Sequence, residues 1–170
     1  MEVSANPALR SLSLTAFTSG RLEISGAALA SLSLPVLVAG SVHVVATSAL
    51  TGLNLPELAT GSVSVQHTTG LTEVKMPAMT NADDLLIFNS ISLASLSVPA
   101  LHGASNVDIE GNGLLSTVAM PALQVVGNGI WISDNPTFPQ CQAEAILVQL
   151  TAVPPTVTIS GNDTTATCPP

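Results

Sequence analysis

The sequence predicts an all-β fold, a parallel β-helix (β-solenoid) of about six to seven short coils with a C-terminal helix cap. Three observations predict it: a short unit recurs at nearly constant spacing, each unit holds two short apolar–polar alternations, and residues 136–170 depart from the repeat. Short repeats of this kind are typical of solenoids, whose stacked units bury a continuous core. We expect a single domain over residues 1–170, with residues 1–7 as a frayed N-terminal end, residues 8–135 as six coils and residues 136–170 as the cap.

The repeat is marked by a proline that follows an apolar alternation. The marker prolines are almost evenly spaced, and the spacing is slightly wider in the later units. They are Pro35, Pro56, Pro77, Pro99 and Pro121. Thr15 stands in the corresponding place of the first unit. Because proline has no N–H to donate, it ends the ladder of the first strand in each coil.

Each unit is predicted to contain two strands, because apolar residues alternate with other residues twice between successive markers. Leu12 and Leu14 belong to the first alternation of one coil, and Leu22 and Ile24 belong to the second. A period of two places one face of a strand in the core. A single coil cannot bury that face, whereas stacked coils can, and their strands then form parallel sheets along the axis.

Two further positions recur in the turns. Gly20, Gly40 and Gly61 stand at the corner between the two strands, where a tight turn favours a residue without Cβ. A short polar residue follows the second strand and can bond to the turn backbone and to neighbouring coils. These polar residues are Thr47, Thr68, Ser90, Asn112 and Asn135.

The cap is predicted to contain one helix and one strand. The segment after Pro139 carries apolar Ile146, Leu147 and Leu150 on one face, as an amphipathic helix does. Thr156–Ser160 follows two prolines and repeats the alternation, so we expect it to join the stack as a seventh rung. The cap would thereby cover the strand edges and apolar rungs that an open solenoid end exposes.

The composition indicates a surface that is solvated by hydroxyl groups. Hydrophobic residues make up 46% of the chain, charged residues 8% and aromatic residues 2%, whereas 19 Ser and 17 Thr are present. Such a chain is typical of secreted, wall-associated or ice-exposed proteins. The net charge is −8, with Arg10, Arg21 and Lys75 as the basic residues besides His, so nucleic-acid binding has no electrostatic basis. No run of 18 apolar residues is present, so we expect no membrane insertion.

Cys141 and Cys168 are the two cysteines of the chain, and both lie in the cap. In an acidic chain rich in Ser and Thr, an even number of cysteines favours a disulfide, with two free thiols in a cytosolic protein as the alternative. We expect an extracellular protein, secreted or attached to the cell surface. Met1–Ser4 lacks a charged n-region and an apolar h-region, so no signal peptide is predicted in this sequence.

No constellation of residues indicates catalysis, a metal ion or a cofactor. His43, His67 and His102 come from different coils and from different positions within them. The pair Asp83-Asp84 is predicted to be solvated charge, and no Gly-x-Ser-x-Gly motif is present. We therefore predict that the protein is not an enzyme and has no cofactor.

The pattern L-x-x-L-x-L-P-x-L, followed after the corner by L-x-I-x-x-N, resembles the receptor L-domain over about residues 8–135. This family is a leucine-rich-repeat-like β-helix of receptor ectodomains and of bacterial and fungal surface proteins, and the bacterial and fungal members are closest in style. The resemblance implies a right-handed β-helix and a role in extracellular recognition or in the cell wall. It supplies no catalytic motif.

Function is predicted to lie on the outward face of the second strands, where the coils differ from one another. Large apolar and charged side chains come together there, and exposed aromatic residues concentrate binding energy. The predicted binding residues are Leu86, Phe88, Asp108, Glu110, Trp131, His43 and Gln66. We expect a protein or glycan ligand at the cell surface, bound by a monomer or by part of a longer chain. Coverage of this face by an adjoining domain or loop is the alternative.

The outward face of the first strands offers a second interpretation, an ice-binding protein. This face is flat and rich in hydroxyl groups, like the faces with which ice-binding solenoids order water. Its residues are Ser11, Ser13, Ser31, Ser33, Asn54, Ser95, Ser97 and Thr117. Glu73 and Lys75 interrupt it midway. A purely structural element of a cell wall or matrix is the third interpretation.

Overall fold

The apolar alternations form short strands that stack coil upon coil. The structure, a computed structural model, describes residues 1–168. The short strands are β2 (Ser11–Ser13), β4 (Ser31–Ser33), β6 (Gly52–Asn54), β8 (Glu73–Lys75), β10 (Ser95–Ser97) and β12 (Thr117–Ala119). The longer strands are β3 (Ser19–Ser25), β5 (Ala39–Val45), β7 (Thr60–Gln66), β9 (Asn81–Phe88), β11 (Gly103–Glu110) and β13 (Val125–Ser133). The terminal elements are β1 (Glu2–Ser4), α1 (Gln140–Val148) and β14 (Thr156–Ser160).

The strands form a large sheet and a small sheet, and every pairing in both is parallel. The large sheet has eight strands in the order β1-β3-β5-β7-β9-β11-β13-β14. The small sheet is divided: β2 pairs with β4, and β6, β8, β10 and β12 pair in sequence. Within the described residues, no pairing joins β4 to β6. The prediction of a β-solenoid with about six coils, a C-terminal helix and a further rung at β14 is confirmed.

The core consists of stacked aliphatic columns. Leu22, Val42, Val63, Leu85 and Val107 follow one another in register, and each is fully buried. Burial of one such side chain contributes about 1.5–3 kcal/mol relative to leaving it exposed. A column of this kind gives each coil the same apolar layer, so the stack holds together without large rings in its middle.

A column of polar residues is buried beside the aliphatic ones. We call Thr47, Thr68, Ser90, Asn112, Asn135 and Asn162 the polar ladder, and all six are buried. The Thr68 hydroxyl donates to Ser90 Oγ at 2.7 Å. The Asn112 amide donates to the carbonyl oxygen of Ile87 at 3.0 Å. Each such bond contributes about 1 kcal/mol. The predicted bonding to neighbouring coils is confirmed for Thr68, Ser90, Asn112 and Asn135. It fails for Thr47, whose buried hydroxyl has no partner within residues 1–168.

The corner before the long strands widens along the chain. In the first three coils, Gly20, Gly40 and Gly61 lie opposite one another with φ angles of 123°, 141° and 127°. In the later coils, extra residues enter this corner, and the register shifts between β7 and β9 and again between β11 and β13. The first of these insertions accounts for the wider spacing of the marker prolines from Pro77 onward.

Residues 1–7 are not a frayed end, which corrects the expectation from sequence. β1 pairs in parallel with β3, and Val3 lies opposite Ile24. The N–H of Ala5 donates to the carbonyl oxygen of Ser25 at 3.0 Å. Such a short strand is held here because its backbone bonds to β3 while Val3 packs against the core.

The cap consists of α1 and β14. Pro139 precedes the helix, and Ala143 and Ile146 are its buried residues. The disulfide between Cys141 and Cys168 joins the helix start to the segment after β14, so the predicted bridge is confirmed and the alternative of two free thiols is wrong.

Helix α1 lies beside β12, where a seventh short strand would otherwise stand. Leu147 and Leu150 are half-buried against the core. Gln149 Nε2 donates to the carbonyl oxygen of Met120 at 2.8 Å, which occupies a backbone acceptor that follows β12. Among residues 1–168, no helix has the length and apolar character that a membrane span requires.

Candidate recognition face

The seven predicted binding residues lie on the outward face of the large sheet, in two columns that the strand pairing aligns. The first column runs through Glu23, His43, Ser64, Leu86, Asp108 and Trp131. The second column runs through Ser25, Val45, Gln66, Phe88, Glu110 and Ser133. Because neighbouring strands are about 4.8 Å apart, residues that are adjacent in a column can share one ligand.

Strands β9, β11 and β13 supply a contiguous set of side chains that we call the recognition patch. It consists of Leu86, Phe88, Asp108, Glu110 and Trp131, all of which are half-buried. Gln66 borders the patch opposite Phe88, whereas His43 lies two strands away from Leu86. The structure therefore separates His43 from the patch. Burial, and in second place Arg21, lowers the pKa of His43.

The indole of Trp131 leans along β13 over Gly129. A Cβ atom on Gly129 would overlap the benzo edge of this ring, so the glycine leaves the space that the ring occupies. On the neighbouring strand β11, Asn106 lies opposite Gly129 and Asp108 lies opposite Trp131. An apolar ring thus has an amide and a carboxylate directly beside it.

Asp108 carries an acceptor without a donor. Its Oδ1 atom is buried and has no hydrogen-bond partner within residues 1–168. Burial, and in second place the negative charge of Glu110, raises the pKa of Asp108 to about 6. An unpaired buried acceptor is destabilising. Because Oδ1 is enclosed by its neighbours, the carboxylate can meet a ligand only through its other oxygen.

A second polar pair flanks the patch and was missed by the reasoning from sequence. Asn106 Nδ2 donates to Asp84 Oδ1 at 2.7 Å across β9 and β11. The sequence predicted Asp84 as solvated charge and gave no role to Asn106. Both residues lie on the outward face because each stands directly before a buried core residue, Leu85 or Val107, of its strand. Their place next to these core residues is the signal that could have located this pair.

Most of the exposed large apolar side chains lie outside the recognition patch. Away from the chain ends they are Val38, Ile91, Leu114, Val125, Val148 and Val153. They stand in turns, at the start of β13 and around the end of α1, where no alternation could have predicted them. Single apolar residues of this kind are ordinary on protein surfaces.

The hydroxyl-rich face of the small sheet is aligned but interrupted. Ser11 lies opposite Ser31 and Ser13 opposite Ser33. The remaining residues of this face, on the four-stranded part of the sheet, are Asn54, Ser95, Ser97 and Thr117. Lys75 Nζ pairs with Glu73 Oε2 at 2.7 Å, so a charged pair stands in the middle of that part.

Other candidate sites offer less chemistry. A groove of about 320 Å³ between β12 and α1 is lined by Val118, Ala119, Met120, Pro121, Gln142, Ala145, Ile146 and Gln149. Since this lining has no ionisable side chain, the groove has no group that could transfer a proton. In the part of the chain that the structure describes, no three His, Cys, Asp or Glu residues are grouped as metal ligands.

Comparison of the chain with models of protein families, with curated proteins and with solved structures finds no match. The resemblance to the receptor L-domain stays a prediction. Function is therefore inferred from the geometry of the recognition patch itself.

Proposed function

We propose that this protein is a non-enzymatic extracellular module for recognition or adhesion and that it binds a glycan at the recognition patch. The observation that carries the proposal is the Trp131 indole over Gly129, with the half-buried carboxylate of Asp108 opposite it on β11. A sugar presents C–H groups on the face of its ring and hydroxyl groups at the rim. The indole offers an apolar surface with a negative face to the first, and Asp108 offers an acceptor to the second.

The size of the patch favours a sugar over a protein surface. Three neighbouring strands span about 10 Å, whereas a stable protein interface buries about 800 Å² on each partner. Leu86 and Phe88 are half-buried and add a modest apolar area beside the ring. A short stretch of glycan would cover the patch, while a protein ligand would need contacts well beyond it.

The disulfide supports a location outside the cytosol. Cys141 and Cys168 are bridged, and disulfides persist in oxidising compartments such as the extracellular space. The surface also draws its polarity from 19 Ser and 17 Thr rather than from charge. Both observations fit a protein that meets its ligand at a cell surface or in a wall.

A glycan array probed with the labelled protein tests the proposal. We expect binding to at least one glycan, weakened about tenfold or more by Trp131→Ala because a stacking surface is lost. Gly129→Ala should weaken the same binding, because a Cβ at this position displaces the indole without removing it.

His43→Ala is the matched control, since it removes a ring from the same column outside the patch. This variant should bind like the original chain, and all three variants should keep its melting temperature. Binding that survives Trp131→Ala would place the ligand elsewhere. Absence of binding to any glycan would remove the proposed function.

We keep ice binding as a second proposal because hydroxyl groups are aligned on the small sheet. Ser11, Ser13, Ser31 and Ser33 are all exposed and lie in register on β2 and β4. The proposal predicts thermal hysteresis or inhibition of ice recrystallisation at micromolar protein. A Ser31→Val variant should reduce either effect. A sample that shows neither effect would exclude this function.

A further inference from the structure

The two ends of the large sheet present strand edges to which no further described strand pairs, although Gln140 Nε2 donates to the carbonyl oxygen of Ile159 in β14 at 3.4 Å. Within residues 1–168, β1 pairs with β3 alone and β14 pairs with β13 alone. An uncovered edge displays a row of N–H and C=O groups and is a template for another strand. Since the sheet is parallel throughout, a strand in the same orientation would continue it at either end.

β1 and β14 occupy equivalent positions in the repeat, since both are second strands of a coil. The segment Glu2–Asn6 corresponds position by position to Thr158–Asn162. Ala5 and Gly161 both adopt positive φ, 45° and 68°, at the equivalent place directly after the strand. If β1 of a second copy paired with β14, the two strands would therefore align in the same register as neighbouring strands inside the molecule.

The polar ladder also points beyond the C-terminal end. Inside the molecule, the N–H of Asn112 donates to Asn135 Oδ1 at 3.0 Å, and the N–H of Asn135 donates to Asn162 Oδ1 at 3.4 Å. In the next coil the corresponding residue would be Asn6 of a second copy. Its Oδ1 accepts from the N–H of Leu9 at 3.2 Å, and a carbonyl oxygen has a second lone pair to offer.

Core residues are incompletely covered at both ends. Val157 of β14 is 38% exposed and Val3 of β1 is half-buried, whereas the equivalent Val42 and Val44 of an internal coil are 0% exposed. Contact between the two ends would cover these side chains as an additional coil does.

The ends also match in shape. At the N-terminal end, β1 of the large sheet stands one rung beyond β2 of the small sheet. At the C-terminal end, α1 follows β12 on the side of the small sheet. A helix is about 10 Å across, or about two rungs of 4.8 Å. The side of the solenoid that carries α1 therefore extends about one strand spacing beyond β14. At the other end β1 extends one strand spacing beyond β2, so β1 of a second copy would fit next to β14.

The charge distribution favours contact between unlike ends. Residues 1–26 contain two arginines and two glutamates, so the formal charge of −8 lies in the rest of the chain. Glu144 and Asp163 lie at the C-terminal end. Contact between two C-terminal ends would bring acidic groups together, whereas Arg10 and Arg21 of the N-terminal end can face them without repulsion.

We propose that copies of this chain stack head to tail, with β1 of one copy adding in parallel to β14 of the next. The inference concerns the ends of the stack and does not depend on the recognition patch, which lies on its side. Because each contact uses two different surfaces, the assembly does not close and grows as a linear filament. The ends have a small cross-section, so we expect association only at high protein concentration.

The backbone pairing identifies the groups that make this contact. The carbonyl oxygen of Met1 accepts from the N–H of Glu23, and the N–H of Ala5 donates to Ser25, so these two residues next to β1 face β3. Backbone groups alternate between the two edges of a strand. The N–H of Ser4 therefore faces the uncovered edge, where it would donate to the carbonyl oxygen of Ile159 in the neighbouring copy. That oxygen accepts from Gln140 Nε2 at 3.4 Å and has a second lone pair to offer.

Analytical ultracentrifugation of the 170-residue protein from about 1 µM to 1 mM tests the proposal. We expect the mean mass to rise steadily with concentration. Ser4→Pro should block the N-terminal end and raise the dissociation constant about tenfold or more, because a donor is lost and a ring points at the neighbour. Ser4→Ala keeps the donor and is its matched control.

Val157→Lys blocks the opposite end, because it places a charge in the core-facing column that Val157 shares with buried Ile130, with Val157→Thr as its control. At a concentration where the original chain associates, each blocked variant alone should be mostly monomeric, while an equal mixture should form mainly dimers, since one open end of each kind remains. A chain that stays monomeric at 1 mM, or a blocked variant that self-associates as strongly as the original chain, would overturn the proposal.

Discussion

A residue with positive φ follows the long strand in every coil. The column consists of Ala5, Gly26, Ala46, His67, Asn89, Gly111, Asp134 and Gly161. Side chains with a Cβ atom disfavour this conformation by about 1–2 kcal/mol. It is nevertheless kept, because the N–H of every such residue except Gly161 donates to the next coil, as Ala46 does to the carbonyl oxygen of Gln66 at 2.9 Å.

Ala46→Gly should therefore stabilise the protein. Ala46 is exposed and has φ of 52°, so glycine removes the strain without removing a buried contact. We expect a gain of about 0.5–1 kcal/mol in the free energy of unfolding, measured with guanidinium chloride. Ala16→Gly is the control, because Ala16 is also exposed and is not among the residues with positive φ. A loss in Ala46→Gly as large as in the control would contradict the interpretation.

Asp108 should make stability depend on pH. Its pKa is raised to about 6, chiefly by burial and then by Glu110, so the folded chain binds a proton that the unfolded chain has already lost. The contribution of Asp108 to the free energy of unfolding should be greatest below about pH 4 and should fall as the pH rises toward 6. Denaturant midpoints at a series of pH values should show the fall, and Asp108→Asn should flatten it. An unchanged slope in the variant would assign the effect to other carboxylates.

At the scale of elements, the glycine corner is the tightest approach between coils. A Cβ atom on Gly40 would overlap the carbonyl oxygen of Gly20, and a Cβ atom on Gly61 would overlap that of Gly40. The atoms in the way belong to the backbone, so no side-chain rotation can make room. The three long strands β3, β5 and β7 depend on this corner for their mutual register.

Gly40→Ala should cost about 3 kcal/mol or more, because it combines backbone overlap with a φ of 141°. Gly52→Ala is the matched control, since a Cβ there meets no atom within 4 Å. Thermal melting of both variants checks the difference. Equal melting temperatures would show that the corner can relax.

The disulfide should act mainly on the cap. It joins residues 27 positions apart, and a loop of that length corresponds to about 3–4 kcal/mol in the chain-entropy model. In a Cys141→Ser, Cys168→Ser double variant we expect α1 to exchange its amide hydrogens faster while β7 and β9 stay protected. Equal loss of protection along the whole stack would contradict a local role.

The elements differed in how far the sequence could predict them. β14 was predicted over its full extent, because Val157 and Ile159 repeat the alternation of the earlier coils. β1 was not, since so short a strand carries too little pattern, and its pairing depends on the neighbouring strand β3. The Asp84–Asn106 pair was missed because the clear apolar alternation begins at Leu85 and Val107, which does not show that β9 and β11 start before these residues.

The site could be predicted in part for the same reason. Once the repeat is aligned, adjacent residues of a column must be neighbours, so Leu86, Asp108 and Trp131 follow from the sequence. The lean of the indole over Gly129 and the missing partner of Asp108 depend on side-chain packing, which no periodicity encodes.

At the scale of the whole molecule, burial is greatest in the middle of the stack. Leu12 and Leu32 of the first two coils are half-buried, Leu53, Val74 and Leu96 at the same position are buried, and Val118 of the sixth coil is half-buried again. Coils contribute to stability through their neighbours, so an end with weaker neighbours opens first. We expect amide hydrogens of β2 and β4 to exchange faster than those of β8 and β10. Uniform protection of all four strands would contradict this difference.

The gap between β4 and β6 also has a mechanical consequence. Under a bending load the large sheet resists along its whole length, since its backbone bonds run unbroken from β1 to β14. Within residues 1–168, the small sheet lacks strand pairing at one level, between the second and third coils. When bending puts the small-sheet side under tension, the second and third coils should therefore separate there before any other pair of coils does.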